Sequence, residues 1–243
     1  MPDLNGQLSQ EAYERWHDQL EVDDAADAPW HDLIRKHLDP ARDLDGKRVL
    51  EIGCGRGGFS CWIASQPTAP RELVAADFSS VAVAKGKAFA DRQGLGNITW
   101  IEADIQKIPF PNASFDTVFS CETVEHVPDP QLALRELARV LKPGGTLFLT
   151  TPNYLGTMGL YRLYLRLTGR RFTEGGQPIN QLTWLPRTQR WLRRAGLLIR
   201  SSDTSGHYLP VPGRPPIRVH GMDALPIPVR GFGLHSLTTA TKR

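Results

Sequence analysis

Short runs of unbroken apolar residues alternate along this chain with segments of helical periodicity. Residues 7–20 and 29–38 read as two amphipathic helices, with Leu8, Tyr13, Trp16 and Leu20 roughly on one face of the first. Turn residues 43–46 lead into a buried strand at 48–52, then a glycine cluster, then a helix over 58–66. A second strand spans 72–76 and stops at Asp77, after which Ser79 or Ser80 suits the cap of a helix reaching about 93. Further strands are expected at 98–101, 115–120 and 146–150, with a helix over 132–141 that Pro143-Gly144-Gly145 ends. Alternation at this spacing means βαβ units and a parallel sheet covered on both faces, a doubly wound α/β domain over about 45–152.

The second half has a different texture. Residues 154–167 form an aromatic and basic helix carrying Tyr154, Tyr161, Tyr164, Arg162 and Arg166, followed by a loop with Arg170, Arg171, Gly175 and Gly176. A helix over 186–195 stops at Gly196, and late strands are expected at 197–201 and 234–240. Between these strands six of the 19 prolines fall at 210, 212, 215, 216, 226 and 228; so long an irregular stretch is usually a lid, a binding loop or disorder.

Composition narrows the class. The 243 residues are 40% hydrophobic and 23% charged, the balance of a globular protein with a sizeable core. The net charge of +3 gives no reason to expect nucleic acid as the main partner. Cys54, Cys61 and Cys121 form neither a disulfide framework nor a CxxC, which argues against zinc and for a reducing, cytoplasmic setting. The first residues show no apolar signal core, and no run of 18 apolar residues reads as a membrane span.

The strongest local signal is Glu51-Ile52-Gly53-Cys54-Gly55-Arg56-Gly57-Gly58, where a strand runs into a glycine-rich turn that opens a helix. Glycine lets a ligand lie against the backbone, and the helix start offers N–H donors. Asp77 ends the next strand 19 residues beyond Gly58, where a carboxylate can bind both hydroxyls of a ribose. Two patterns fit: Gly53, Gly55 and Gly58 make GxGxxG, the dinucleotide fingerprint, and Glu51 with Gly53, Gly55 and Gly57 makes ExGxGxG. The second resembles motif I of class I S-adenosylmethionine (SAM)-dependent methyltransferases. Ala103-Asp104-Ile105, the 114–122 segment, Glu125-His126-Val127-Pro128 and Leu141-Lys142-Pro143-Gly144-Gly145 resemble later motifs of that family, in order and at its spacing.

The resemblance is strong over 46–152 and weak over the late strands. Its 122–130 segment is most similar to ubiquinone-biosynthesis O-methyltransferases. It implies a seven-stranded Rossmann-like sheet with helices on both faces and an antiparallel last strand. It divides the chain into an N-terminal helical segment (1–45), the SAM-binding core (46–152) and acceptor-binding insertions with the closing strands (153–243). It implies that Glu51, Gly53, Gly55 and Gly57 hold the methionine end, Asp77 the ribose, and Asp104 with Ile105 the adenine, with Phe78 and Cys121 also against the cofactor.

Glu122, Glu125 and His126, at offsets 0, +3 and +4, would share one face of a helical turn and could hold a divalent ion such as magnesium that lowers the pKa of an acceptor hydroxyl. His126 could instead act directly as a general base, or only orient the loop beneath the cofactor. His207 and His220 flank the proline-rich stretch within reach of an acceptor, whereas His17, His31, His37 and His235 read as surface or packing residues. The acceptor side is expected from 153–184 and 205–231, where Tyr154, Tyr161, Tyr164 and Trp184 offer flat surfaces. The expectation is thus methyl transfer to a hydroxyl of a small molecule (sugar, phenol or quinol, or lipid-linked), with C- or N-methylation, a nicotinamide-dependent oxidoreductase or a non-catalytic SAM-binding protein as alternatives. A homodimer is left open beside the monomer.

Overall fold

An apolar run without polar alternation belongs to a strand covered on both sides, and β1 (Arg48–Ile52) shows it: Val49, Leu50 and Ile52 are all fully buried. In the computed structural model, which describes residues 4–22, 26–155, 157–169, 177, 179–209, 217–219 and 229–243, β1 pairs in parallel with β2 (Glu72–Asp77) on one side and β4 (Phe115–Cys121) on the other. Outside these lie β3 (Ile98–Glu102), parallel to β2, and β5 (Leu141–Pro152), parallel to β4. The chain returns to the β5 edge with β6 (Leu197–Ser205) and, last, β9 (His235–Lys242), which inserts antiparallel between β5 and β6. The seven-stranded order is β3-β2-β1-β4-β5-β9-β6, a doubly wound α/β sheet with the antiparallel closing strand expected. β7 (Tyr208–Leu209) and β8 (Ile217–Arg218) form a separate two-stranded pair.

Consecutive residues supply opposite layers. Val49, Leu73, Phe119 and Phe148 belong to the core on one face, and Leu50, Val74, Val118 and Leu147 to the core on the other. Burying each large side chain is worth ~1.5–3 kcal/mol. Phe119 and Phe148 are register partners whose rings stack at 5.0 Å. The covering helices are α1 (Leu4–Asp18), α2 (Pro29–His37), α3 (Pro40–Asp43), α4 (Gly58–Ala64), α5 (Ser80–Arg92), α6 (Pro130–Val140), α7 (Thr157–Leu167) and α8 (Leu185–Arg194). Ser79 caps α5 through its hydroxyl, which accepts from Ala82 N, and Asp129 caps α6 by accepting from Gln131 N and Leu132 N.

Two strands run past their expected bounds: β6 continues to Ser205, and β5 spans Leu141–Pro152. Pro143-Gly144-Gly145 lies inside β5 and does not end the preceding helix, which stops at Val140. Buried Leu141 already pairs with Phe115, while Thr146 pairs with Thr117, so the strand swells between these pairs to absorb the proline and glycines.

The parallel strands β1 to β4 end at one edge of the sheet, which gathers Gly53, Asp77, Asp104 and Glu122; the direction of winding changes between β1 and β4, where α/β folds leave a crevice. α1 is tied across this edge. Gln10 Nε2 donates to Glu102 (2.9 Å), Ser80 Oγ to Glu14 (2.7 Å), and Lys85 Nζ to the carbonyls of His17, Asp18 and Leu20 that end the helix. Among the described residues no helix is long and apolar enough to cross a membrane.

Candidate functional site

The glycine turn after β1 is forced by its neighbours. Gly53 and Gly57 have φ of +76° and +77°, and a Cβ on the first would overlap the Thr123 side chain, on the second the Trp100 ring. Gly55, also at positive φ, borders open space, where an added Cβ would meet only His17 Cε1 at 3.7 Å. Hydrogen bonds complete the turn: Gly53 N and Cys54 N both donate to Ala76 O (2.8 and 2.9 Å), Gly55 N to Asp77 Oδ2 (2.7 Å), and Gly57 N to Cys54 O (3.0 Å).

Beside this turn opens a cleft of about 620 Å³. Its lining, among the described residues, carries the carboxyl side chains of Glu51, Asp77, Asp104, Glu122 and Glu125 and the guanidinium of Arg56, with no lysine or other arginine. Asp77 Oδ1 also accepts from Ser79 N (2.9 Å). Burial pushes its carboxyl pKa up, and the amides of Ser79, Gly55 and Phe78 oppose that. Asp104 closes the turn after β3 by accepting from Gln106 N (2.8 Å). Glu51 lies behind the glycines, accepts from Ser60 Oγ, and has its pKa raised to about 8, chiefly by burial. Burial likewise pushes the Cys121 thiol well above its usual range.

Glu122, Glu125 and His126 do not gather as one ligand set. Residues 124–126 form a 3₁₀ turn, and Glu122 precedes it at φ +46°, so α-helical offsets do not describe them. Glu122 Oε2 meets His235 Nδ1 at 3.1 Å, while Glu125 is fully buried with Oε1 3.5 Å from His126 Nε2. Among the described residues no group of three His, Cys, Asp or Glu side chains is arranged to hold a metal ion. The magnesium site expected at these residues therefore does not fit the side-chain arrangement.

His126 Nδ1 lies 2.8 Å from Ile179 O, a pure acceptor, so Nδ1 carries the proton and donates. Burial lowers the His126 pKa, against the Ile179 bond and Glu122. Nε2 then presents its lone pair on the side of Glu125, whose Oε1 lies 3.5 Å away.

The roof corrects the sequence reading. Tyr154 is buried away from the cleft under Arg162, Tyr161 and Tyr164 are exposed on α7, and none of them, nor Trp184, lines the cleft. From the expected acceptor segments, the described lining residues are Gln177 and Ile179; Tyr13, Trp16 and Trp30 of α1 and α2 form the aromatic wall. His207 is buried beside β7 and does not line the cleft. His220, Arg170 and Arg171 lie outside the described residues.

Three histidines read as packing residues, His17, His31 and His235, line the cleft. His17 has its pKa lowered to about 4 by burial, then by Arg56 and Lys85. Its Nδ1 lies 3.0 Å from Arg56 Nη1, which can only donate; the neutral ring therefore carries its proton on Nε2, 4.0 Å from Asp77 Oδ1. The available signal was the spacing of Tyr13, Trp16 and His17, which puts three ring-bearing residues on one face of α1.

Comparison with known proteins follows the same lines. A methyltransferase-domain family model matches residues 50–149. The ubiquinone biosynthesis O-methyltransferase of Coxiella burnetii is 30% identical over 178 residues, 72% of this chain and 74% of that protein. The chain belongs to the class I SAM-dependent methyltransferases. The chain is also 34% identical over 143 residues to the demethylmenaquinone methyltransferase of Geobacillus kaustophilus, and the match spans 55% of its own length and 61% of the relative's. In fold it is similar to the S-adenosylmethionine-dependent methyltransferase structure from Mesorhizobium loti, with a TM-score of 0.63 at 19% identity over 89% of this chain and 99% of that one. The acidic lining of the cleft is compatible in charge with a cationic ligand.

Proposed function

We propose that this chain transfers the methyl group of SAM to a hydroxyl of a small-molecule acceptor and releases S-adenosylhomocysteine. One observation carries the ligand class. The amides of Gly53, Cys54, Gly55 and Gly57, which in a dinucleotide site would face a pyrophosphate, all donate within the protein, and carboxylates surround the turn. An anion is disfavoured there and a cation favoured, which argues against the nicotinamide reading of the same glycines.

The residue roles are those the family resemblance implies, and the gathering of these residues around one cleft supports them. The carbonyl-rich glycine turn and Glu51 hold the methionine end, Asp77 accepts from the ribose hydroxyls, Phe78 packs beside it, and Asp104 with Ile105 borders the adenine. Cys121, a buried thiol among the lining residues, lies against the cofactor. When bound, the sulfonium supplies an already activated methyl group. The chain has to orient an acceptor oxygen, remove its proton and exclude water, and the Tyr13–Trp16–Trp30 wall with the nearby histidines suits a flat hydroxylated acceptor. Similarity to the Coxiella burnetii ubiquinone biosynthesis O-methyltransferase supports oxygen as the acceptor atom.

Incubation with methyl-labelled SAM and a panel of sugars, phenols and quinols tests this. Label is expected in an ether product, with undiminished yield in EDTA because no group of His, Cys, Asp or Glu among the described residues is arranged to hold a metal ion. Label found only on carbon or nitrogen contradicts the oxygen assignment.

Glu51 makes binding pH-dependent. Its raised pKa, about 8, means the free folded protein holds a proton that the unfolded chain releases near ~4.3. Stability therefore falls as pH rises through that window, and a cation bound beside Glu51 favours the ionised form. Calorimetry at neutral pH in buffers of different ionisation enthalpy should show proton release on SAM binding. Affinity should rise severalfold over about one pH unit approaching 8. Glu51→Gln should abolish both effects; unchanged proton release in that variant would place the linkage elsewhere.

A further inference from the structure

Removing a proton from a hydroxyl calls for a base with a free nitrogen or oxygen facing the acceptor, and His126 offers none. Its Nδ1 is given to Ile179 O and its Nε2 faces Glu125, and the same turn is stitched to the 179–181 segment by Gln181 N donating to Glu125 O at 2.7 Å. That arrangement holds the turn and the cleft wall together.

His235 is placed differently. It opens β9 opposite Pro152 of β5, lines the cleft, and packs its ring 5.1 Å from that of Trp30. Nδ1 lies 3.1 Å from Glu122 Oε2, while Nε2 has no hydrogen-bond partner among the described residues. Glu122 is aimed by its backbone: a non-glycine residue at φ +46°, a conformation costing ~1–3 kcal/mol, held by Glu122 N donating to Thr150 O and Oγ1. Glu122 Oε1 is buried without a partner among the described residues. Strain, an orphaned carboxylate oxygen and a carboxylate–imidazole pair meet at one wall of the cleft.

We propose that His235, oriented by Glu122, is the base that takes the acceptor's hydroxyl proton. This rests on the O-methyl reading above. Glu122 Oε2, accepting from Nδ1, fixes the tautomer with the proton there, leaves the Nε2 lone pair toward the acceptor, and stabilises the imidazolium that forms. The hydroxyl proton passes to Nε2 as the acceptor oxygen forms its bond to the methyl carbon and the C–S pair goes to sulfur; the imidazolium then returns the proton to solvent. Glu122 acts through His235 and is a positioning residue.

The test uses the full chain with SAM and two kinds of acceptor: phenols of pKa near ~10, and 4-nitrocatechol, already ionised at about pH 8. His235→Asn is expected to lose about 10²-fold or more in kcat on the phenols, the usual worth of a general base. On the ionised acceptor it should lose less than about threefold, with S-adenosylhomocysteine affinity unchanged. Glu122→Gln should show the same acceptor dependence with a smaller loss. Independently of turnover, ¹⁵N NMR of the histidine-labelled wild type bound to S-adenosylhomocysteine should put the His235 proton on Nδ1. Equal losses on both acceptors, an acceptor-dependent loss in His126→Asn in place of His235→Asn, or a proton on Nε2 would overturn the assignment. A wild type that binds S-adenosylhomocysteine but methylates no hydroxyl overturns the underlying reading instead, and does so before any variant is made.

Discussion

Asp77→Ala should weaken S-adenosylhomocysteine binding by about 100-fold or more. A carboxylate accepting from both ribose hydroxyls makes two charge-assisted hydrogen bonds, each worth ~1.5–3 kcal/mol, and ~3 kcal/mol together is already more than two decades in affinity. Asp77 also accepts from Gly55 N and Ser79 N, so the alanine variant loosens the glycine turn as well. Asp77→Asn separates the two effects: its amide oxygen can keep one backbone bond while the charge is lost, and an intermediate loss is expected. Thermal melts of both variants report how much of the change is structural. Affinity for Asp77→Ala within about twofold of wild type, far below the ~3 kcal/mol expected, would remove Asp77 from the ribose role.

Gly57→Ala should destabilise the fold by ~3 kcal/mol. Alanine at φ +77° carries ~1–2 kcal/mol of left-handed strain, and its Cβ meets the Trp100 ring and Gly86 Cα in a packed layer where overpacking costs a further ~1–3 kcal/mol. Gly94→Ala is the control: φ is +71°, but nothing lies within 4 Å of the added Cβ, so only the strain is felt. Urea denaturation compares the two directly. Equal midpoints would show that Trp100 yields and that packing does not dictate this glycine.

The sheet was legible because its signals are local. Short apolar-rich runs bounded by turn residues located β1, β2 and β4 within a residue or so, and the residues that end them line the cleft. The acceptor end was not, because its contacts join distant parts of the chain. Glu122 and His235 are 113 positions apart, and no local pattern marks a histidine opening an edge-region strand as the partner of a strand-tip glutamate. α1 read as an ordinary amphipathic helix, since an aromatic stripe facing a ligand cleft and one facing a core look alike in sequence. The spacing of Glu122, Glu125 and His126 misled for a third reason: it assumed an α-helical turn, whereas the backbone reverses at Glu122 and then tightens to 3₁₀.

The proposal that the cleft is an S-adenosylmethionine site, and not a nicotinamide one, is tested most directly by calorimetric titration of the wild-type chain with S-adenosylhomocysteine and, separately, with NADH. Saturable one-to-one heat with the first and none with the second is expected. Tight uptake of NADH with no response to S-adenosylhomocysteine would contradict the reading of the glycine turn on which every role assigned above depends.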